Sequence, residues 1–198
     1  MIIDLQKFRG KSIYLLPLQP TDKETLRQLA KDARIWEFNR TLVIDESYDN
    51  QFDHYFKTAL DLSALGGQQS FTIRRVSDNS TIGMSRFYEI TPKDKKLAIG
   101  YTWYVPEVWG NPYNKECKLL MLSYVFESLH FNRAEFHVAH QNIRSQKALE
   151  KFGAVKEGVL RKHGYRNDGT LRDTVYYSVI DDEWPVAKEK LLQLMSNG

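Results

Sequence analysis

KLAIGYTWYVPEVWGNPYNKECKLLMLSYVFESLHFNRAEFHVAHQNIRSQKALEKFG, residues 96–153, passes twice from a strand-like to a helix-like pattern. In 96–105 apolar residues fall at every second position: Leu97, Ile99, Tyr101, Trp103 and Val105. That is the period of a strand with one buried face. Pro106 ends the pairing, and EVWGNPYN leads as a loop into a long helix. Its expected buried stripe is Leu119, Leu122, Val125, Phe126 and Leu129. Residues 133–139 (RAEFHVA) read as the next strand. A short helix with Ala148, Leu149 and Phe152 inward then ends at Gly153. Two strands joined through a helix imply a parallel pair with a right-handed crossover.

The flanking sequence completes one sheet. Residues 12–18 (SIYLLPL) read as a strand, and Thr21 with Glu24 predicts a capping box ahead of Leu26, Leu29, Ala30 and Ala33. Residues 34–48 are irregular and aromatic. Phe52, Tyr55, Phe56, Ala59 and Leu60 then carry a second helix that Gly66-Gly67 ends. Strands 70–76 and 81–90 flank the turn Ser77–Ser80. Strands 155–165 and 171–180 form a hairpin around Asn167-Asp168-Gly169, and Pro185 opens a last helix through Met195. The reading is a single α+β domain over 1–198: a mixed seven-stranded sheet with flanking helices and one parallel pair.

Composition excludes several classes. With 198 residues, 42% hydrophobic and 27% charged, the chain is globular rather than disordered or collagen-like. A net charge of +3 is too balanced for a nucleic-acid binder. The single cysteine, Cys117, allows no internal disulfide and no zinc site of the usual kind, so no metal is expected. The start MIIDLQKFRGK lacks the apolar core of a signal peptide, and no apolar run reaches the length of a membrane span. The expected compartment is the cytoplasm, with no membrane partner.

The chemistry concentrates where the two strands meet their helices. A strand feeding a short loop into a helix N-terminus offers free N–H groups and a favourable dipole to an anion. Gly110 removes a side chain from that loop and Lys115 adds a charge. The same WGNPYN also reads as a plain turn and cap, with Pro112 near the first helical position. Asn142 and Ser145 fall at the start of the next helix, where an amide can hold another amide and a hydroxyl can give a proton. Both are also preferred helix caps.

Together these pieces resemble the GNAT superfamily of acyl-CoA-dependent N-acetyltransferases, from the first strand to Trp184. Gly110 with Asn111 to Glu116 stands where that family has its pyrophosphate loop. Asn142-x-x-Ser145 followed by Gly153-Ala154 matches its Asn-x-x-Ala/Ser and Gly-Phe spacing. Glu157-Gly158-Val159-Leu160-Arg161, Arg172-Asp173 and Glu183-Trp184 look like the branch holding the ribosomal-protein N-terminal acetyltransferases. The resemblance implies that the parallel strands splay into a V. Acetyl-CoA would lie in it, with pantetheine amides on the backbone of Trp103, Tyr104 and Val105. The pyrophosphate would meet Trp109, Gly110, Asn111, Asn114 and Lys115, and Asn142 would hold the arm. The acceptor, a protein N-terminus or small amine, would enter from the other side of the sheet, beside a wall built from the helix pair and residues 34–48, with the 155–180 hairpin opposite. Trp36 and Phe38 with Asp45 and Glu46 would suit a cationic acceptor. A homodimer is common in this family.

The pattern has departures. Glu107 stands where the family loop has Gln or Arg, and Pro112 where it has a second Gly, removing one N–H donor. Leu149 stands where many members carry a Tyr that protonates the thiolate, so Ser145, one turn earlier, takes that role. Gly164 occupies about the place of a sixth-strand carboxylate, leaving Glu89, His163 and Tyr101 as base candidates, with Glu89 favoured. Each also reads as an ordinary structural residue. The altered loop keeps open a rival reading: a catalytically weak CoA-binding or protein-interaction module on the same fold.

Overall fold

The computed structural model describes residues 4–38, 41–166 and 168–196. The chain runs β1 (Ile13–Pro17), α1 (Lys23–Leu29), α2 (Tyr48–Ala64), β2 (Gln69–Arg75), β3 (Thr81–Thr91) and β4 (Lys96–Tyr104). It continues through α3 (Tyr113–Ser123), β5 (Arg133–Ala139), α4 (Ile143–Phe152), β6 (Val155–Tyr165), β7 (Leu171–Ile180) and α5 (Trp184–Ser196). The seven strands form one mixed sheet in the order β1-β2-β3-β4-β5-β7-β6. All neighbours are antiparallel except β4 and β5, which are parallel. This is the α+β architecture expected of the sequence. Among the described residues no helix is long and apolar enough to cross a membrane.

Each sheet face carries its own core. On one, α3, α4 and α5 deliver Met121, Leu122, Leu149, Phe152 and Leu191 onto Leu97, Ile99, Phe136, Val175 and Tyr177. On the other, α1 and α2 deliver Leu26, Ala30, Phe52, Tyr55 and Phe56 onto Met84 and Trp103. β6 is the outer strand at one edge of the sheet and is exposed along nearly its whole length.

The expected alternation over 96–105 fails at its centre. Met84 pairs with Trp103 but Arg86 with Gly100, so two steps on β3 oppose three on β4. The extra residue makes a bulge. Tyr101 takes φ +51° there, a left-handed conformation that is strained for a side chain of this kind. Leu97 and Ile99 therefore face the first core and Trp103 the second, while Tyr101 is exposed.

Smaller differences have local causes. The Thr21/Glu24 box is replaced by Asp22, whose carboxylate accepts from the Gln19 N–H at 2.8 Å, while Glu24 pairs with Arg27. After Ser123 the helix continues as a π turn over Tyr124–Ser128, which advances its phase. Cys117, Met121, Leu122, Val125 and Phe126 are buried, and Leu119 and Leu129 only partly. Asn167 of the β6–β7 turn, with Asn39 and Arg40 of the irregular segment, lies outside the described residues.

Candidate active site

The parallel ladder of β4 and β5 holds only three pairs: Lys96 with Arg133, Leu97 with Ala134 and Ala98 with Glu135. Beyond Ala98 and Glu135 the strands continue to Tyr104 and Ala139 without pairing to each other. Their facing backbone edges therefore have no strand partner, which leaves a V between them. Beyond the apex, Trp103 is buried, with its indole N–H donating to Tyr55 Oη at 3.3 Å. The Tyr104 phenol is buried beside the Cys117 thiol, and burial pushes the ionisation of both upward. Val105 returns its N–H to Ile82 O at 3.0 Å.

The loop at the open end is held by its own bonds. Trp109 Nε1 donates to Tyr104 O at 3.0 Å, and Asn111 Nδ2 to Val108 O at 3.2 Å. Gly110 turns the chain at φ +86° in open space, where a side chain would be strained. Pro112 is the N-cap of α3 and its carbonyl accepts from Glu116 N–H. The N–H groups of Tyr113, Asn114 and Lys115 precede the first intrahelical donor and face outward from the helix start. Asn114 is half-buried there. Lys115 is turned elsewhere: its ammonium donates to Leu194 O at 2.8 Å, at the end of α5. Glu107 is exposed, within electrostatic reach of Arg34.

At the tip of the other arm, Asn142 caps α4, its Oδ1 accepting from the Ser145 N–H at 3.0 Å. The cap thus uses the Ser145 backbone. Among the described residues the half-buried Ser145 hydroxyl has no partner. Leu149 is buried in the first core.

On the opposite face, a cleft of about 420 Å³ opens at the apex, lined by Glu89, Ile90, Thr91, Lys96 and Glu135 among others. Glu89 is exposed at φ +50° and, among the described residues, its carboxylate accepts no hydrogen bond. Glu135 is buried and accepts from Arg133 Nε at 2.7 Å and meets His137 Nε2 at 3.2 Å. Burial alone would raise Glu135; the bonds from Arg133 and His137 outweigh it and hold its carboxyl below the usual range. Arg133 also donates to Glu157 Oε1 at 2.6 Å and holds that carboxyl down at about 2. One ligand atom each of Glu89, Glu135 and His137 lie within 4.8 Å of one another. A metal there would compete with Arg133, and with Lys96 at 3.6 Å from Glu135.

Glu135 and His137 did not stand out in the sequence, although Arg-x-Glu-x-His at alternate positions marks one polar strand face. Arg86 is buried on β3 with its guanidinium between the rings of Tyr55 (4.3 Å) and Tyr101 (4.6 Å). His163 meets Thr174 Oγ1 at 3.2 Å on the outer hairpin. Trp36 is core, donating to Ala30 O at 2.7 Å, and Asp45 accepts from Ser47 ahead of α2.

Residues 12–155 match the family model described as the acetyltransferase (GNAT) domain. YoaA of Bacillus subtilis (strain 168), named an N-acetyltransferase, is 36% identical over 108 residues, 54% of this chain and 60% of that protein. YdaF of the same organism carries the name of a ribosomal N-acetyltransferase; it is 33% identical over 107 residues, 54% of this chain and 57% of that protein. The chain thus spans less than two thirds of the length of these relatives, and their names divide between ribosomal and other acetyltransferases. A solved GCN5-related N-acetyltransferase from Brucella melitensis superposes with TM-score 0.82 at 25% identity, over 95% of this chain and 84% of that one. The spermidine N-acetyltransferase of Vibrio cholerae, solved with CoA and spermine, shares the fold at TM-score 0.71 and 20% identity, over 87% of this chain and 98% of that one. A family match across 12–155, laid on a sheet whose one parallel pair parts after three residues, makes this chain a member of the GNAT acetyltransferase domain family.

Proposed function

We propose that this protein transfers an acetyl group from acetyl-CoA directly to a primary amine, a protein N-terminus or a small amine. The observation that carries the reading is the early end of the β4–β5 ladder, which leaves two facing backbone edges leading to the start of α3. Unpaired strand edges are sites for an amide-bearing chain. The backbone of Trp103, Tyr104 and Val105 would pair with the pantetheine arm, and Asn142 Nδ2 would reach it from the other arm. The phosphates would meet Trp109, Gly110, Asn111 and the amides of Tyr113, Asn114 and Lys115. Lys115 would have to leave Leu194 to join them.

Bound acetyl-CoA supplies an activated acyl carbon. The amine nitrogen attacks that carbon, a C–N bond forms, and the C–S bond breaks with its electrons on sulfur. A protonated amine must first lose a proton. Glu89, with a free carboxylate at the apex cleft, takes it, directly or through water. The unpartnered Ser145 hydroxyl passes a proton to sulfur.

The test is an amine panel with acetyl-CoA, reading released thiol, alongside a melting curve. At 100 times its dissociation constant the donor stabilises the fold by about 2.7 kcal/mol. Turnover with at least one amine and a raised melting temperature are expected. A raised melting temperature without turnover on any amine would support the rival reading, a CoA-binding module, for which Pro112 and Glu107 speak.

A further inference from the structure

Lys118 is a buried lysine on α3 with almost nothing to hold it. Its Nζ lies 3.3 Å from Thr102 Oγ1 on β4 and 5.4 Å from the centroid of the Phe136 ring on β5. Thr102 in turn shares a 2.8 Å hydrogen bond with Ser85. Among the described residues no carboxylate pairs with Lys118. A buried ammonium with one long hydrogen bond is expensive, and substituting it by an apolar side chain would ordinarily stabilise a protein.

Its position is specific. Thr102 and Phe136 lie on the two arms of the V: Phe136 directly follows the last ladder pair, Ala98 with Glu135, and Thr102 stands four residues along β4 from Ala98. Lys118 spans the gap between the arms, five residues into α3 and so about 7.5 Å along the helix from its first residue. From Ala98 to Tyr104 the arm is about 20 Å long at 3.3 Å per residue. An acyl donor whose phosphates sit at the start of α3 carries its sulfur down into the gap between the arms, which Nζ spans.

We propose that the Lys118 ammonium is the counter-ion of the donor's sulfur as the C–S bond breaks. This rests on the acetyl-CoA reading above. The amine lone pair forms the C–N bond and the C–S pair leaves on sulfur as a thiolate beside Nζ. The thiolate then takes a proton from solvent through the Ser145 hydroxyl, and the proton lost by the amine leaves by Glu89. Lys118 keeps its own proton throughout. Burial pushes this ammonium down from its ordinary value, and an anion beside it removes that penalty. The titratable neighbour is Cys117 on α3, with Tyr104 of β4 and Glu116 beside that thiol; burial pushes Cys117 and Tyr104 up, so both are neutral, and Glu116 is turned to the backbone of Lys11 and Ser12.

The experiment uses CoA itself as probe and needs no acceptor. The thiolate absorbance of CoA bound to the wild-type protein is titrated against pH and compared with free CoA, with the protein alone as baseline; burial pushes the Cys117 thiol up, away from a bound thiol that ionises lower. Bound thiol is expected to ionise at least one pH unit lower, a tenfold preference for thiolate. Lys118→Met should abolish the shift, leave CoA thiol affinity within threefold, keep or raise the melting temperature, and lower kcat about 10²-fold on any amine the wild type accepts. Ser145→Ala should keep the shift. A bound thiol that titrates like free CoA in the wild-type protein, or a shift that survives in Lys118→Met, overturns the assignment. Wild-type protein that fails to bind CoA at all overturns the acetyl-CoA reading, and this proposal with it.

Discussion

The guanidinium of Arg144 lies 4.4 Å from the centroid of the Trp109 ring. Arg144 stands in the first turn of α4, past the end of β5, and Trp109 in the loop past the end of β4. The pair therefore bridges the two arms at the open end of the V. An exposed contact of this kind is worth about 0.5–1 kcal/mol. Arg144→Ala should raise the KM for acetyl-CoA about two- to fivefold with kcat unchanged, measured by initial rates over a donor series. An unchanged KM would mean that the bridge plays no part in holding the donor.

Gly110 offers a test of the loop. A Cβ there meets nothing within 4 Å, but the φ of +86° is one that side chains adopt at a cost. Gly110→Val should lose about 1–2 kcal/mol of stability and at least about tenfold in CoA affinity, a further loss by displaced amides. Calorimetry and a denaturation curve on one sample separate the two effects. Full affinity would remove the loop from the site.

The cap at α4 makes Asn142 and Ser145 separable. The capping bond runs from the Ser145 backbone N–H to Asn142 Oδ1, so Ser145→Ala leaves it intact. That variant should keep its denaturant midpoint and lose roughly 10²-fold in kcat. Asn142→Ala should lose about 1 kcal/mol of stability and show a raised KM for acetyl-CoA. Normal turnover in Ser145→Ala would move proton delivery to water.

The Arg133–Glu157 pair predicts an acid limit to stability. Arg133 depresses the Glu157 carboxyl to about 2, below its value in the unfolded chain. A depressed carboxyl contributes stability above the unfolded value, about 4.3, and that contribution is lost as pH falls toward 2. Stability should therefore drop across that interval in the wild-type protein and drop less in Glu157→Gln, measured by denaturant unfolding at stepped pH. Equal slopes would show that the pair is fully screened by solvent.

Much of the fold was legible in the chain. β5, β6 and β7 stand at the bounds their patterns predict, because strand period, turn residues and the closing Gly153 act over a few neighbouring positions. Asn142, Ser145 and Gly110 were legible for the same reason: each serves a helix end or a turn. The bulge at Tyr101 was not, since it exists only in the register of β4 against β3. Nor was the apex cleft, where β3 brings Glu89 to the Glu135 and His137 of β5. The sequence by itself determined the order of the elements and the single parallel pair. Tertiary structure alone decided that Lys115 turns to Leu194 while Lys118 is buried between β4 and β5. Three residues apart on one helix, the two lysines are alike in local pattern, and only packing against the sheet and α5 sets them apart.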